Sequence, residues 1–117
     1  MAAGASLGDF EQLVMLALLR IGEGAYGMIV RREIEDRTGR EVSLGAIYAT
    51  LDRLESKALV SSVIGAAGGA RRGRAKRFFS VEPAGLDALK RSLAALDRMR
   101  SGVAGLASPL QEVDDET

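Results

Sequence analysis

The chain contains no cysteine, no histidine and no tryptophan, only two prolines, and an aromatic content of 4%. Each absence closes a class of chemistry. Without cysteine there is no disulfide framework, no thiol nucleophile, no thiolate zinc site and no thiol redox switch. Without histidine there is no imidazole acid–base catalyst and no histidine pH switch near neutrality. Only acidic or hydroxyl chemistry is left for an enzyme, and no activated nucleophile or metal-ligand set accompanies it. The expectation is a protein without enzymatic activity, cofactor or metal. Long apolar runs are also missing. Leu13 to Leu19 is apolar, but it falls far short of the ~20 residues that span a bilayer. It also lacks a basic segment before it or a small-residue cleavage site after it. No membrane association and a cytoplasmic location are therefore expected.

What is present fits one small domain: 117 residues, 47% of them hydrophobic, enough to bury a modest core. The net charge of +0 conceals an asymmetry. Residues 102–117 hold Glu112, Asp114, Asp115 and Glu116 and no base, so the first 101 residues carry 16 basic against 12 acidic side chains. Between Arg71 and Lys76–Arg77, five positive charges fall within seven residues: Arg71, Arg72, Arg74, Lys76 and Arg77. Screening acts over about 8–10 Å, so a phosphate senses this local patch and not the overall balance.

Two patterns that mimic ligand sites are set aside. Gly22, Gly24 and Gly27 match G-x-G-x-x-G, but the dinucleotide motif needs a preceding strand and a second βαβ half. The preceding run is rich in Leu, Met and Ala and reads as helix. Gly22 and Gly27 also have the first spacing of a phosphate loop, yet Met28-Ile29 follow where Lys-Ser/Thr is required. The carboxylates at Glu33, Glu35 and Asp36 read as a solvated helix face. The acidic residues 112–116 lack the glycine turn and spacing of a calcium loop.

Periodicity orders the rest. Residues 1–6 are small and polar. Ser6 and Asp9 resemble a capping box for a first helix, whose residues Phe10, Leu13, Val14, Leu16 to Leu19 and Ile21 are apolar nearly all round. Such a helix is buried on more than one side, which points to a partner subunit. After a glycine-rich break, a second helix runs from about Tyr26 to Thr38, with Gly39 to end it. Ser43 is a good N-cap for a third helix, from about Leu44 to Lys57. Its Leu44, Ile47, Leu51 and Leu54 share one stripe, and Gly45, Ala49, Asp52, Arg53 and Ser56 face the other way. Near its start that outer face is almost bare of bulk. Leu59 to Ile64 and Ala75 to Val81 read as two strands around a glycine-rich turn, a β-hairpin with a basic tip. Pro83 suits the first turn of a last helix. There Leu86, Leu89, Leu93 and Leu96 form a coiled-coil-like seam of about two heptads.

Three helices, a basic hairpin and a final helix describe a mainly α, α+β fold: a winged helix-turn-helix followed by a C-terminal dimerisation helix. The expected organisation is residues 7–81 as the DNA-binding domain, 82–101 as the dimerisation helix and 102–117 as an acidic, disordered tail. In such a fold the helix from Leu44 to Lys57 enters the major groove, and the wing follows the backbone or reaches the minor groove.

Specific residues add a resemblance. Leu7-Gly8-Asp9-Phe10-Glu11, Tyr26-Gly27, Thr38-Gly39-Arg40, the run from Val42 through Ser43, Gly45, Tyr48 and Thr50 to Glu55, and the basic glycine-rich run before Phe78-Phe79 closely resemble the PadR family of bacterial transcriptional regulators. The likeness covers roughly Leu7 to Val103 and is most specific from Val42 to Leu59. It implies a homodimeric repressor acting at a promoter, of the short type with one C-terminal helix that pairs with the first helix. The chain departs from the family pattern in Glu82, where a Thr cap is common, and in Phe78 and Phe79, where Tyr is frequent. Some relatives stack flat aromatic drugs between Trp residues, which this chain does not have.

The DNA-contacting set expected on this basis is Ser43, Gly45, Tyr48, Ala49 and Arg53 on the helix, with Arg71, Arg72, Arg74, Lys76 and Arg77 on the wing. The dimerisation set is Leu13, Leu16, Leu86, Leu89, Leu93 and Leu96. Double-stranded DNA and a second copy of the chain are the expected partners; no residue names a small-molecule effector, which stays open. The alternative is a winged-helix protein–protein interaction module that presents the bare helix face to a protein.

Overall fold

Apolar residues at helical spacing and two β-branched or aromatic runs build six elements, seen in a computed structural model that describes residues 7–65 and 76–106. They are α1 (Asp9–Ile21), α2 (Gly27–Thr38), α3 (Leu44–Ser56), β1 (Val60–Gly65), β2 (Lys76–Val81) and α4 (Pro83–Arg100). The order is that of the winged helix-turn-helix read from the sequence. Residues 1–6, the wing tip with Arg71, Arg72 and Arg74, and residues 107–117 with the acidic run lie outside the described residues.

Helix α1 begins later than the Ser6–Asp9 pattern implies. Gly8 is its N-cap, and the Glu11 carboxylate accepts the Gly8 N–H at 2.9 Å. A carboxylate three residues into the helix thus satisfies one of the unpaired donors at the helix start. Val14, Met15, Ala17 and Leu18 are buried, Leu13 and Leu16 partly so. From α2 come Val30 and Ile34, and from α3 Ile47, Leu51 and Leu54, all within the same core.

The turn between α2 and α3 is held at both ends. Gly39 adopts the left-handed conformation and its N–H meets the Glu35 carbonyl at 2.9 Å, as a glycine C-cap should. The Glu35 carboxylate accepts the Val42 N–H at 3.2 Å. At the far end of α3 the chain turns through Ala58, which has a φ of 63° although it is not glycine. Ala58 and Leu59 donate to the Glu55 and Leu54 carbonyls at 2.9 and 3.0 Å, closing the helix with the wrapped hydrogen-bond pattern usually built on glycine.

Strands β1 and β2 pair antiparallel from Val60↔Val81 to Gly65↔Lys76. Among the described wing residues only Val60 and Phe79, at its inner half, are buried; Val63 and Ile64 are exposed. Phe79 also donates its N–H to the Ala25 carbonyl at 2.9 Å. The segment before α2 therefore docks on β2, a long-range contact with no local signal.

Pro83 opens α4, preceded by Glu82, whose side chain makes no capping bond. The boundary is held instead by tertiary contact: the Glu82 N–H donates to the Leu59 carbonyl at 2.9 Å. Ala88 and Leu89 enter the core and Leu93 packs against it, whereas Leu86 and Leu96 are exposed. The four leucines read as one seam are thus divided. Leu89 is taken up by the chain's own core, because α1 and the base of the wing close over only the first half of α4.

Gly85 marks the tightest contact of α4. A Cβ there would run into the Leu59 carbonyl, which is backbone and cannot swing aside. Helix propensity alone would make Gly85→Ala stabilising by up to about 1 kcal/mol. We expect the opposite, a loss of about 1–3 kcal/mol from overpacking, read as a lower urea midpoint with an unchanged slope. A raised midpoint would show that α4 can shift away at no cost.

Candidate nucleic-acid interface

The outer surface of α3 is the natural place to look for a ligand, since its inner stripe is consumed by the core. Ser43 caps the helix, its hydroxyl accepting the Ala46 N–H at 3.0 Å. The hydroxyl proton is left available for an outside acceptor. Gly45, Ala46 and Ala49 follow on the exposed side. This first turn and a half presents backbone N–H groups and small side chains, so another backbone can approach closely. An open recess lined by Arg31, Glu35, Glu41, Val42 and Ser43 adjoins it.

Tyr48 is partly buried. Its ring lies on Gly27, where any Cβ would collide with it, and against Phe79 at 6.4 Å between centroids. The requirement at Gly27 is therefore space for an aromatic ring, a role that the glycine pattern around residues 22–27 could not reveal. Phe78, on the opposite side of β2, packs edge-on against Tyr26 at 6.0 Å. Lys76 reaches over that same Tyr26 ring at 4.3 Å.

The expected cationic residues fall into different settings. Arg53 is half exposed and held by Glu11 at 3.2 Å, with a second bond to the Thr50 hydroxyl at 3.3 Å. Lys57 also meets Glu11, at 3.0 Å. Glu11 stands in the segment from Leu7 that carries the family resemblance, but its bridging role was not read from the sequence; its local signal is its place three residues after Gly8. Arg77 lies between two acids of α3, with Asp52 at 3.0 Å and Glu55 at 2.5 Å. Its Nε donates to the Ser62 hydroxyl at 3.2 Å, which in turn donates to Glu55 at 2.9 Å. The guanidinium also sits over the Phe79 ring at 4.8 Å. The Ser62 hydroxyl and Arg77 hold the Glu55 carboxyl below the ordinary carboxylate range. Burial works against the Arg77 charge, but Glu55 and Asp52 outweigh it and raise its pKa. Among the described residues no group of acids, histidines or cysteines is arranged to hold a metal ion, and no helix is long and apolar enough to cross a membrane.

Glu11 ties α1 to the outer edge of α3 from a side chain only 8% exposed. Burial pushes its pKa up, yet the Gly8 N–H, Lys57 and Arg53 together bring it below its ordinary value of 4.5. A carboxylate with a lowered folded pKa stabilises the fold fully above its unfolded pKa. That contribution is lost as pH falls through the folded value. Because Arg53 and Lys57 are partly solvated, the effect is smaller than for a dry ion pair. Glu11→Gln should cost about 1–2 kcal/mol at neutral pH and distinctly less at pH 3, measured by urea denaturation at both. An equal cost at the two pH values would show that the charge is not what matters.

Comparison with known proteins agrees with this geometry. The profile of the Transcriptional regulator PadR-like family matches residues 15–91. A PadR family transcriptional regulator from Eggerthella lenta is similar in structure, with a TM-score of 0.65 and 26% identity over 84% of this chain and 85% of that one. A PadR-like transcription factor from Bacteroides fragilis gives 0.69 and 22%, over 86% and 91%. A PadR-like regulator from Bacillus cereus gives 0.67 and 20%, over 83% and 89%; these last two speak for the fold alone. No curated protein sequence matches significantly. With the family profile spanning most of the winged fold and the start of α4, the chain belongs to the PadR-like family of transcriptional regulators.

Proposed function

We propose that this regulator is a cytoplasmic, dimeric repressor that binds an inverted-repeat DNA operator through α3 and its basic wing. The observation that carries the reading is the exposed, small-residue start of α3, with Ser43, Gly45, Ala46 and Ala49, on a helix whose later residues Asp52 and Glu55 meet the wing. A bare helix N-terminus fits the floor of a major groove, where bulk would hold the backbones apart. Arg53 lies at the outer edge of the same helix. Arg71, Arg72 and Arg74 belong to the wing tip by sequence and supply phosphate affinity there. Tyr48 contributes mainly by setting α3 against Gly27 and Phe79, with its exposed edge free for a backbone contact.

A second copy of the chain completes the reading. Leu13, Leu16, Ala17 and Ile34 line a groove of about 200 Å³ between α1 and α2, with Arg20, Glu33 and Arg37 also lining it. The second half of α4 and the residues after it expose Leu96, Met99, Val103 and Leu106, and Leu86 lies exposed near its start. An apolar ridge on α4 and an apolar groove on α1 can satisfy each other twice in a two-fold dimer. That would set two α3 helices about 34–36 Å apart, one turn of DNA. Ligand control, if it operates, would act by changing that spacing.

Fluorescence anisotropy on the duplex upstream of the protein's own gene, against a scrambled duplex at one stated salt concentration, tests the reading. A preference of roughly 10³-fold or more is expected of a specific binder. Neutralising Arg72 and Arg74 should weaken both duplexes alike and lower the salt slope by about one unit per lost phosphate contact. Failure to bind any duplex would turn the bare helix face into a surface for a protein partner. Separately, Leu96→Glu with Met99→Glu should convert the dimer to monomer in analytical ultracentrifugation while helix content is kept. A variant that stays dimeric would place the interface elsewhere.

A further inference from the structure

Arg77 stands in a basic run and reads from the sequence as a phosphate contact, but its surroundings are unsuited to that role. Three acceptors surround its guanidinium: Asp52 and Glu55 from α3, and the Ser62 hydroxyl from β1. Phe79 lies beneath it. One positive and two negative charges leave this cluster net negative, on the edge of α3 from which the wing departs. The Arg77 charge is thus already balanced by its own neighbours and adds little attraction for phosphate.

Its position offers a mechanical reason. Beyond Val60 and Phe79 no described wing residue is buried, and Val63 and Ile64 are exposed. On one face the outer described wing rests on Tyr26 through Phe78 and Lys76; on the face towards α3 no buried side chain sets its angle. Arg77 pairs with Ile64 across the hairpin, next to the last pair, Gly65↔Lys76. The bonds to Asp52 and Glu55 are thus the outermost described tie between the wing and α3. A planar guanidinium held by two carboxylates has one favoured geometry, which a lysine ammonium cannot reproduce.

We propose that Arg77, clamped by Asp52 and Glu55, is a positioning residue that fixes the angle of the wing against α3 and does not itself contact phosphate. The inference rests on the DNA-binding reading above for its consequence, but not for its geometry. Wing and recognition helix then meet DNA as one rigid piece. The separation between groove contact and wing contact becomes a property of this clamp, and so does part of the choice of operator.

The test compares Glu55→Gln, Arg77→Gln, Arg77→Lys and the double variant Glu55→Gln/Arg77→Gln, each first checked for an intact urea transition. In the free protein, hydrogen–deuterium exchange should quicken in residues 60–65 and 76–81 of Glu55→Gln, with α1 unchanged. On the preferred duplex, Glu55→Gln should bind roughly 3- to 10-fold more weakly, although it removes a negative charge. Arg77→Lys, which keeps its charge, should lose as much as Arg77→Gln. The salt slope should stay the same throughout, and the double variant should be no worse than either single one. Tighter binding by Glu55→Gln, or a slope about one unit lower for Arg77→Gln, would overturn the proposal and restore Arg77 as a phosphate contact. If the unsubstituted protein binds no duplex, the DNA reading fails by itself. The exchange measurement then decides the clamp, and unchanged wing exchange would overturn it.

Discussion

Helix α3 has room for one buried stripe. Ile47, Leu51 and Leu54 occupy it, each without measurable exposure, enclosed by Val14, Met15 and Leu18 of α1 and Val30 and Ile34 of α2. Burying three branched side chains on one small helix contributes several kcal/mol, each on the order of 1.5–3 kcal/mol. That is a large part of the stability available to a domain of this size. The rotation of α3 about its axis is therefore not adjustable. Once the stripe is inside, Gly45, Ala46, Ala49 and Arg53 must face outward, and the same constraint directs Asp52 and Glu55 towards the wing.

Carboxylates handle the connections that apolar packing does not reach. Glu35 holds the turn into α3 through the Val42 N–H. Glu11 joins the start of α1 to the outer edge of α3 through Arg53 and Lys57. Glu55 and Asp52 hold Arg77, and Glu33 gathers Arg20 and Arg37 where α1 meets α2. An acid on a DNA-facing domain weakens its attraction for phosphate, so each needs a structural reason to be there. These have one. They spend part of the chain's positive charge on internal geometry. The neutral overall balance is thus compatible with local affinity for a polyanion.

Helix α4 divides its work along its length. Gly85, Ala88 and Leu89 lock its first half onto α1 and the base of the wing, with Gly85 allowing the helix to approach the Leu59 carbonyl directly. From Ala95 onward every described residue is exposed, including Leu96, Met99, Val103 and Leu106. A lone monomer gains nothing from showing these to water. The rigid anchoring of the first half gives the exposed half a fixed direction, which any pairing with a second copy would transmit to α3 and the wing.

The sequence by itself determined the order and type of the elements, the cap at Ser43, the stripe of α3 and the family. All of these depend on local chemistry: side-chain period, capping hydroxyls, glycine turns and short motifs. Tertiary structure decided what those residues do to one another. Gly27 reads locally as a helix breaker, yet its function is to seat Tyr48, 21 positions away in the chain. Arg77 reads as one more cation in a basic run, until folding surrounds it with two acids of α3. Leu89 shares a heptad pattern with Leu86 and Leu96, but only packing shows that it belongs to the core and they do not. Glu11 stands in a short segment that carries the family resemblance, but its bridging role comes from Arg53 and Lys57 reaching it from more than 40 residues along the chain. Periodicity records which face of an element is apolar. It carries no record of which distant charge or ring will meet that face, because such contacts follow from how the helices and hairpin stack, and that is settled by the whole core together.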